Sequence, residues 1–524
     1  MNALRVIAVF LILSISAGME SHAQISIEKD SLSVHYAQLW DIKRIRKHLS
    51  VLCADSLEGR ETAKRGQRLA AAYIREQLIN TGLKAGVNDT GYVQQFPLLE
   101  IEQQEAWVRM GKDTLRNFED FYSFSFLLDT LISFDEVKFL GYGIMDENYD
   151  NYGTQDVRGK AILIANGEPM DGKNYRLSNS ILPTLWSDGY DAKIELARSK
   201  GASVLFIVQD YFDLHLPKVT NYLQKPKVKL RIPNSDVLPV VFIPPSRVDE
   251  FFGEGSYELL QAELAEGKEQ FSLRKNEEMS FRMKKSVKRL WSHNLMAHIP
   301  GSVNPDEHVI LTAHYDHLGR RGEDIFYGAD DNGSGTSALM EIARCMQQAF
   351  DDGIRFNRSI SFLFFSGEEK GLLGSDFYTQ YPMVKLENTV ANLNVDMIGR
   401  RDASRPGGLN DYIYLIGSDR LSKELHELSE AVNETYVGLE LDYKFNDESD
   451  PQRLYYRSDH FNFAKHRIPV IFYFKGLHED YHKGGDRPEK IQHGSLQQAG
   501  RLIFHTAWTI ANLDRRIEVD EEIK

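Results

Sequence analysis

Cysteine is almost absent: Cys53 and Cys345 are the only two among 524 residues. With no cysteine cluster, any metal site must be built from His, Asp and Glu. The pair itself leaves two options open, one disulfide in an exported protein or two buried thiols. Basic charge is also short. Lys and Arg number 62 against 76 Asp and Glu, a formal net charge of −14. That argues against nucleic acid as a main partner, since such binders carry a basic face to neutralise phosphates. Beyond the N-terminus no segment reaches the roughly 18 apolar residues that a membrane span requires. No internal repeat or low-complexity tract is present. What remains is 42% hydrophobic and 26% charged, an ordinary globular balance in a chain long enough for more than one core.

The N-terminus itself reads MNALRVIAVFLILSISAGMESHAQ. Arg5 is a short positive region, and Val6 to Ile15 is an apolar stretch of ten residues. That stretch is too short to span a bilayer. Ser21-His22-Ala23 has the small-x-small form of a cleavage site. Residues 1–23 therefore read as a signal peptide cleaved near Ala23, which makes the mature chain periplasmic or secreted. No cysteine lies near the site to carry a lipid anchor.

Apolar residues recur at helical spacing from Ile45 to Leu52 and from Leu69 to Leu78, the second stretch closed by Thr81-Gly82. Tyr92 to Leu98 reads as a strand. From about 125 to 275 short β-rich runs dominate (VKFLGYGI, KAILIANG, SVLFIVQD, LPVVFIP), with one clear helix at 192–202. From 289 to 515 strands alternate with helices. The strand candidates are Leu295–Ile299, Val309–Thr312, Ile360–Phe365, Val390–Val395, Ile413–Ile416 and Pro469–Tyr473. The helix candidates are Gly335–Gln348, Lys423–Tyr436 and Leu496–Leu513. This alternation predicts an α/β sheet covered on both faces. Such sheets gather their active-site groups at the carboxyl ends of the strands.

The polar residues just after those strands are all His or carboxylates. VILTAHYDHLG delivers His314 and Asp316, and GADDNGSGT follows with Asp330 and Asp331. FLFFSGEEKG delivers Glu368 and Glu369, ANLNVDMIG delivers Asp396, and DYHKGGD delivers His482. Each alone is weak evidence: Asp-Asp-Asn-Gly is usually a turn or a cap. Together, two His and three carboxylates with a spare Glu match a dinuclear site with N and O ligands and one bridging carboxylate. The donor set suits zinc, with cobalt or manganese the other fits.

In this order HYDHLG, GADDNGSG, SGEEKGLLGS, NVDMIG and YHKGGD resemble the two-zinc aminopeptidases of the bacterial leucyl aminopeptidase type. That family also includes glutamate carboxypeptidase II and the non-enzymatic transferrin receptor. SLEGRETAKRGQRLAAAYI resembles its lead-in. VRGKAILIANG with SKGASVLFIV resembles the protease-associated module often inserted there. The resemblance implies a three-layer α/β/α zinc-exopeptidase fold with a mixed central sheet. It would comprise residues 24–124 and 278–524, with a β-rich insert at 125–277. It implies two Zn²⁺ per chain. His314 and Asp396 would hold one, Glu369 and His482 the other, and Asp331 would bridge. Glu368 would be the general base that takes a proton from the water between the metals. Asp316 would orient His314, and Ser458 and Asp459 of RSDHF would support the ligands. Tyr481 would donate to the developing oxyanion, and Arg457 is a candidate for substrate contact. The implied substrates are peptides with a free N-terminus. The alternatives are a carboxypeptidase or dipeptidase of the same family, a glutaminyl cyclase, and a receptor-like module without catalysis. The intact HYD and ADD count against the cyclase, whose relatives bind one zinc.

Overall fold

The computed structural model describes residues 25–86, 91–125, 127–232, 237–405 and 411–520. The leader read at 1–23 lies outside the described residues. The chain divides into two compact units, one made from residues up to Gln94 and from Asn294 onward, the other from Gln95 to His293. The segment 125–277 lies within the second unit, and both divisions fall inside long strands, Val93–Met110 and Arg274–Ile299. In the latter, RKNEEMSFRMKKSVKRLWSH mixes charges with apolar residues and its exposure alternates. No continuous apolar run marks it as a strand.

The first unit contains α1 (Ile42–Leu52), α2 (Arg65–Asn80), the end of β1 (Arg274–Ile299), β2 (Asn304–His314), α3 (Gly335–Asp351), β3 (Arg358–Phe365), β4 (Thr389–Val395), β5 (Tyr412–Ile416), α4 (Lys423–Tyr436), β6 (Glu440–Asp442), β7 (Val470–Phe474) and α5 (His493–Asn512). Its strands lie in the order β6-β5-β7-β4-β2-β3-β1. β3-β2-β4-β7 are parallel, while β5 against β7 and β1 against β3 are antiparallel. This is the expected mixed central sheet. Both faces are covered, so β3, β4, β5 and β7 are buried at every position. Val309, Leu311 and Ala313 of β2 and Ile360, Phe362 and Phe364 of β3 pack on one face with α1, α2, α3 and α5. Ile310, Leu363 and Phe365 pack on the other, with Tyr378 and Phe463. Capping fixes helix starts: the Asp41 side chain accepts from Lys43 N at α1, and Ser422 accepts from Leu425 N at α4.

The second unit has its own parallel strands, Asp129–Phe139, Ala161–Ile164, Val204–Val208 and Val240–Ile243. Tyr122–Ser123 pairs antiparallel with the last, and residues 274–284 pair antiparallel with Asp129–Phe139. Leu163, Phe206 and Val208 face one apolar cluster, and Ile162, Leu205 and Ile207 face another. The helix expected at 192–202 is Asp191–Ser199.

Cys53 and Cys345 are both buried free thiols. Burial pushes them up to about 11 and about 12, so they stay protonated and unreactive. Among the described residues no helix is long and apolar enough to cross a membrane.

Candidate metal centre

The parallel strands end at one edge, and their carboxyl ends deliver the polar groups. β2 stops at His314, β4 at Val395 just before Asp396, and β3 at Phe365. Ser366 and Gly367 turn the chain after β3, so that Glu368 and Glu369 follow in a single 3₁₀ turn. Asp331 lies between β2 and α3, next to a cis peptide bond joining it to Asn332. Asn332 ties that loop to the sheet: its side chain donates to Val395 O at 2.8 Å and accepts from Gly335 N at 2.9 Å. A Cβ at Gly335 would lie 2.3 Å from Asn332 Oδ1 and 2.5 Å from Val395 O, so no other residue fits there.

Two groups of donor atoms converge. In the first, His314 Nε2 lies 3.3 Å from Asp331 Oδ1 and 3.3 Å from Asp396 Oδ1. His314 Nδ1 donates to Asp316 O at 3.2 Å, which leaves the Nε2 lone pair facing two carboxylate oxygens. Among the described residues neither His314 Nε2 nor Asp396 Oδ1 has a hydrogen-bond partner, although both are buried. Three acceptors meeting in a buried space need a proton or a cation between them. The donor set fits a metal ion, and His314, Asp331 and Asp396 all offer atoms within 4.8 Å of one another. Burial opposes charge on His314, but Asp396, Glu368, Asp316 and Asp331 outweigh it and hold its pKa well above the ordinary value.

In the second group, Asp331 Oδ2 lies 3.1 Å from His482 Nε2, which is 3.4 Å from Glu369 Oε2. His317 completes a tighter set with Asp331 and Glu369. Its Nδ1–H donates to Glu369 Oε1 at 2.7 Å, with Asp331 Oδ2 at 3.8 Å. Burial lowers the His317 pKa to about 4, so the ring is neutral. His317 was missed in the sequence. It is the last residue of HYDH, overshadowed by His314 three residues earlier.

Glu368 stands beside the first group, with Oε2 3.8 Å from His314 Nε2. Burial first, then the neighbouring Glu369, Asp396 and Asp459, raise its pKa well above the usual carboxylate range, against the pull of His314. A bound cation reverses that balance. Asp316 differs from expectation in detail. Its carbonyl meets His314, while its carboxylate is 3.8 Å from that ring and accepts from Thr62 Oγ1 at 2.6 Å and Glu368 N at 3.3 Å. Ser458 Oγ donates to Asp396 Oδ2 at 2.7 Å. Asp459 accepts from Ser375 Oγ at 2.5 Å and contacts no proposed ligand by hydrogen bond, and burial raises it to about 7. Tyr481 stacks on His482 with ring centroids 3.8 Å apart, and its hydroxyl accepts from Arg457 Nη2 at 3.1 Å.

Two supports come from residues the motif reading left aside. Asp486, the last residue of YHKGGD, accepts from Asp330 N at 3.0 Å and from Asp331 N at 3.1 Å. It is fully buried and anchors the main chain of the shared Asp331. Arg60, from the lead-in, is also fully buried. It donates to four carbonyls, Leu52 at 2.6 Å, Tyr315 at 2.7 Å, Tyr327 at 2.7 Å and Gly328 at 2.9 Å. Those contacts fix both loops that carry His317 and Asp331.

Residues 294–507 match the family model described as Peptidase family M28. That stretch holds every motif whose resemblance was noted above apart from the lead-in and the insert. Aminopeptidase YwaD of Bacillus subtilis (strain 168) is 29% identical over 226 residues, covering 41% of this chain and 44% of that protein. Probable aminopeptidase YDR415C of Saccharomyces cerevisiae is 28% identical over 220 residues, covering 40% of this chain and 55% of the relative. The chain thus spans about half the length of these curated relatives. Among solved structures, the aminopeptidase from Aneurinibacillus sp. strain AM-1 shares the fold with a TM-score of 0.54 at 18% identity, covering 93% of this chain and 98% of that one.

Proposed function

We propose that the protein is a secreted or periplasmic aminopeptidase that holds two zinc ions and removes N-terminal residues from peptides. The observation that carries the reading is the pair of donor groups sharing Asp331, with Glu368 alongside but hydrogen-bonded to neither. His314, Asp331 and Asp396 would hold one ion, and Asp331, Glu369 and His482 the other, with His317 bracing Glu369. When bound, zinc supplies a Lewis acid and a water of lowered pKa. Glu368 takes a proton from the attacking water and passes it to the departing amine nitrogen as the peptide C–N bond breaks. Tyr481, its oxygen held by Arg457, donates a hydrogen bond to the carbonyl oxygen as charge grows there. The carboxylates of Asp331, Glu368 and Asp396 line the pocket and attract a free ammonium, which favours cleavage at an N-terminus.

Export is supported by the leader pattern at 1–23, and the protease-associated reading of the second unit by its order of strands and helix. Free and N-acetylated peptides test the specificity: hydrolysis of the free series alone is expected, and equal cleavage of blocked peptides would overturn the aminopeptidase assignment. Metal analysis of the replete protein should give two zinc ions per chain; a ceiling of one would sink the dinuclear reading.

A further inference from the structure

The pocket beside the donor groups is lined by charges of both signs. Asp331, Glu368 and Asp396 supply carboxylates, and Met397, Leu454, Phe472, Phe474 and Leu477 supply apolar walls. Arg457 and Tyr481 stand among the remaining lining residues. Arg457 is exposed. Its hydrogen bonds go to the Tyr481 hydroxyl at 3.1 Å and, at 3.5 Å, to Gln452 O. Among the described residues no carboxylate pairs with it, unlike Arg400 nearby in sequence to the ligands, which is held by Glu479 and Asp480. A guanidinium presents five donors in a planar fork suited to a carboxylate, and two contacts leave most of them available.

We propose that Arg457 reads a carboxylate on the substrate, so that the preferred substrates are peptides bearing both a free amine and a carboxylate within reach of this guanidinium. The carboxylate is either the C-terminus of a dipeptide or an acidic N-terminal side chain. The inference rests on the aminopeptidase reading. It converts the pocket from a site for any free N-terminus into one matched to a zwitterion or an acidic residue. A carboxylate meeting this guanidinium is expected to raise kcat/KM about tenfold. Arg457 is a specificity-determining residue, because it touches the recognised group and leaves the proton transfer to Glu368 and the hydrogen bond to the oxyanion to Tyr481.

Two substrate pairs separate the sources. Leucyl-alanine against leucyl-alaninamide varies only the C-terminal carboxylate. Glutamyl against glutaminyl p-nitroanilide varies only the side chain. In one pair the zinc-loaded protein should favour the acid about tenfold in kcat/KM. In R457Q that ratio should fall to about one, and R457K should keep part of it. A ratio unchanged by R457Q in both pairs, or no acid preference in the wild type, would overturn the carboxylate proposal while leaving the aminopeptidase reading intact. Failure of the wild type to cleave any free-amine peptide would overturn both. Arg457 lies on the surface, so its replacement leaves the core packing in place.

Discussion

The two halves of the metal centre are held by different means. His314 and Asp396 sit at or just past the ends of buried parallel strands, and the His314 side chain is 1% exposed. His482 sits on a loop, with left-handed backbone at φ 57° and a side chain 37% exposed. A strand end is fixed by its ladder and by packing on both faces, so its ligand has one place to be. A loop ligand depends on neighbours: His482 leans on the Tyr481 ring and faces Asp331 and Glu369. The strand half is closed off from solvent, and the loop half is the one open to it.

The largest effect should come from a change that leaves both halves intact. Glu368→Gln keeps every proposed ligand and removes the base, so kcat/KM should fall by roughly 10²–10⁴ with zinc content unchanged. Initial rates and metal analysis on one preparation check this; wild-type turnover in the variant would place the base elsewhere. Next, His482→Ala and His314→Ala probe each half directly. His482→Ala should retain one tightly held zinc and lose the other, whereas His314→Ala should disturb the buried half and lower thermal stability as well. Equal zinc titrations for the two variants would erase the distinction between strand and loop.

Supporting groups should matter less than ligands. Loss of such a group weakens metal binding by roughly 10–100-fold. Asp486→Asn acts through the shared Asp331 and should weaken both positions. His317→Ala acts through Glu369 and should weaken one. Competition with a chromophoric chelator resolves the two cases, and a single-position loss in Asp486→Asn would contradict the anchoring role. The smallest effect concerns acid. In the metal-free protein, burial lowers His48, His308 and His505 to about 4 and His460 to about 3. The unfolded rings take up protons below about 6.5, so the unfolded state binds more protons between that value and about 4. Stability therefore rises with pH in this window and falls on acidification. All four rings belong to the unit that carries the metal centre. Calorimetry from pH 7 to 4.5 should show that unit melting earlier at low pH, and a melting temperature independent of pH would refute it.

Much of the first unit was legible because its strands are buried on both faces. Ile360–Phe365 has Ser361 as its one polar member, Val390–Val395 is apolar but for Asn392 and Asn394, Ile413–Ile416 is apolar throughout, and the observed strands extend them by only one or two residues. Lys423–Tyr436 begins at a serine cap and matches its helix residue for residue. The proposed ligands were visible for the same reason, since polar residues stand out at the end of an apolar run. His317 and Asp486 were not, because each lies beside a better motif residue and works through contacts distant in the chain. Long strands that mix charge with apolar residues, such as Arg274–Ile299, were not legible, because no apolar run marks them.

Arg60 lies on the other side of the second unit from every proposed ligand in the chain. A fragment beginning at Asn294 would contain His314, Asp331, Glu368, Glu369, Asp396 and His482, and would still lack the side chain that satisfies the carbonyls of Tyr315, Tyr327 and Gly328. During synthesis Arg60 must therefore wait through the whole of the second unit before these carbonyls emerge, and the stretch matching the family model borrows part of its loop support from a segment far earlier in the chain.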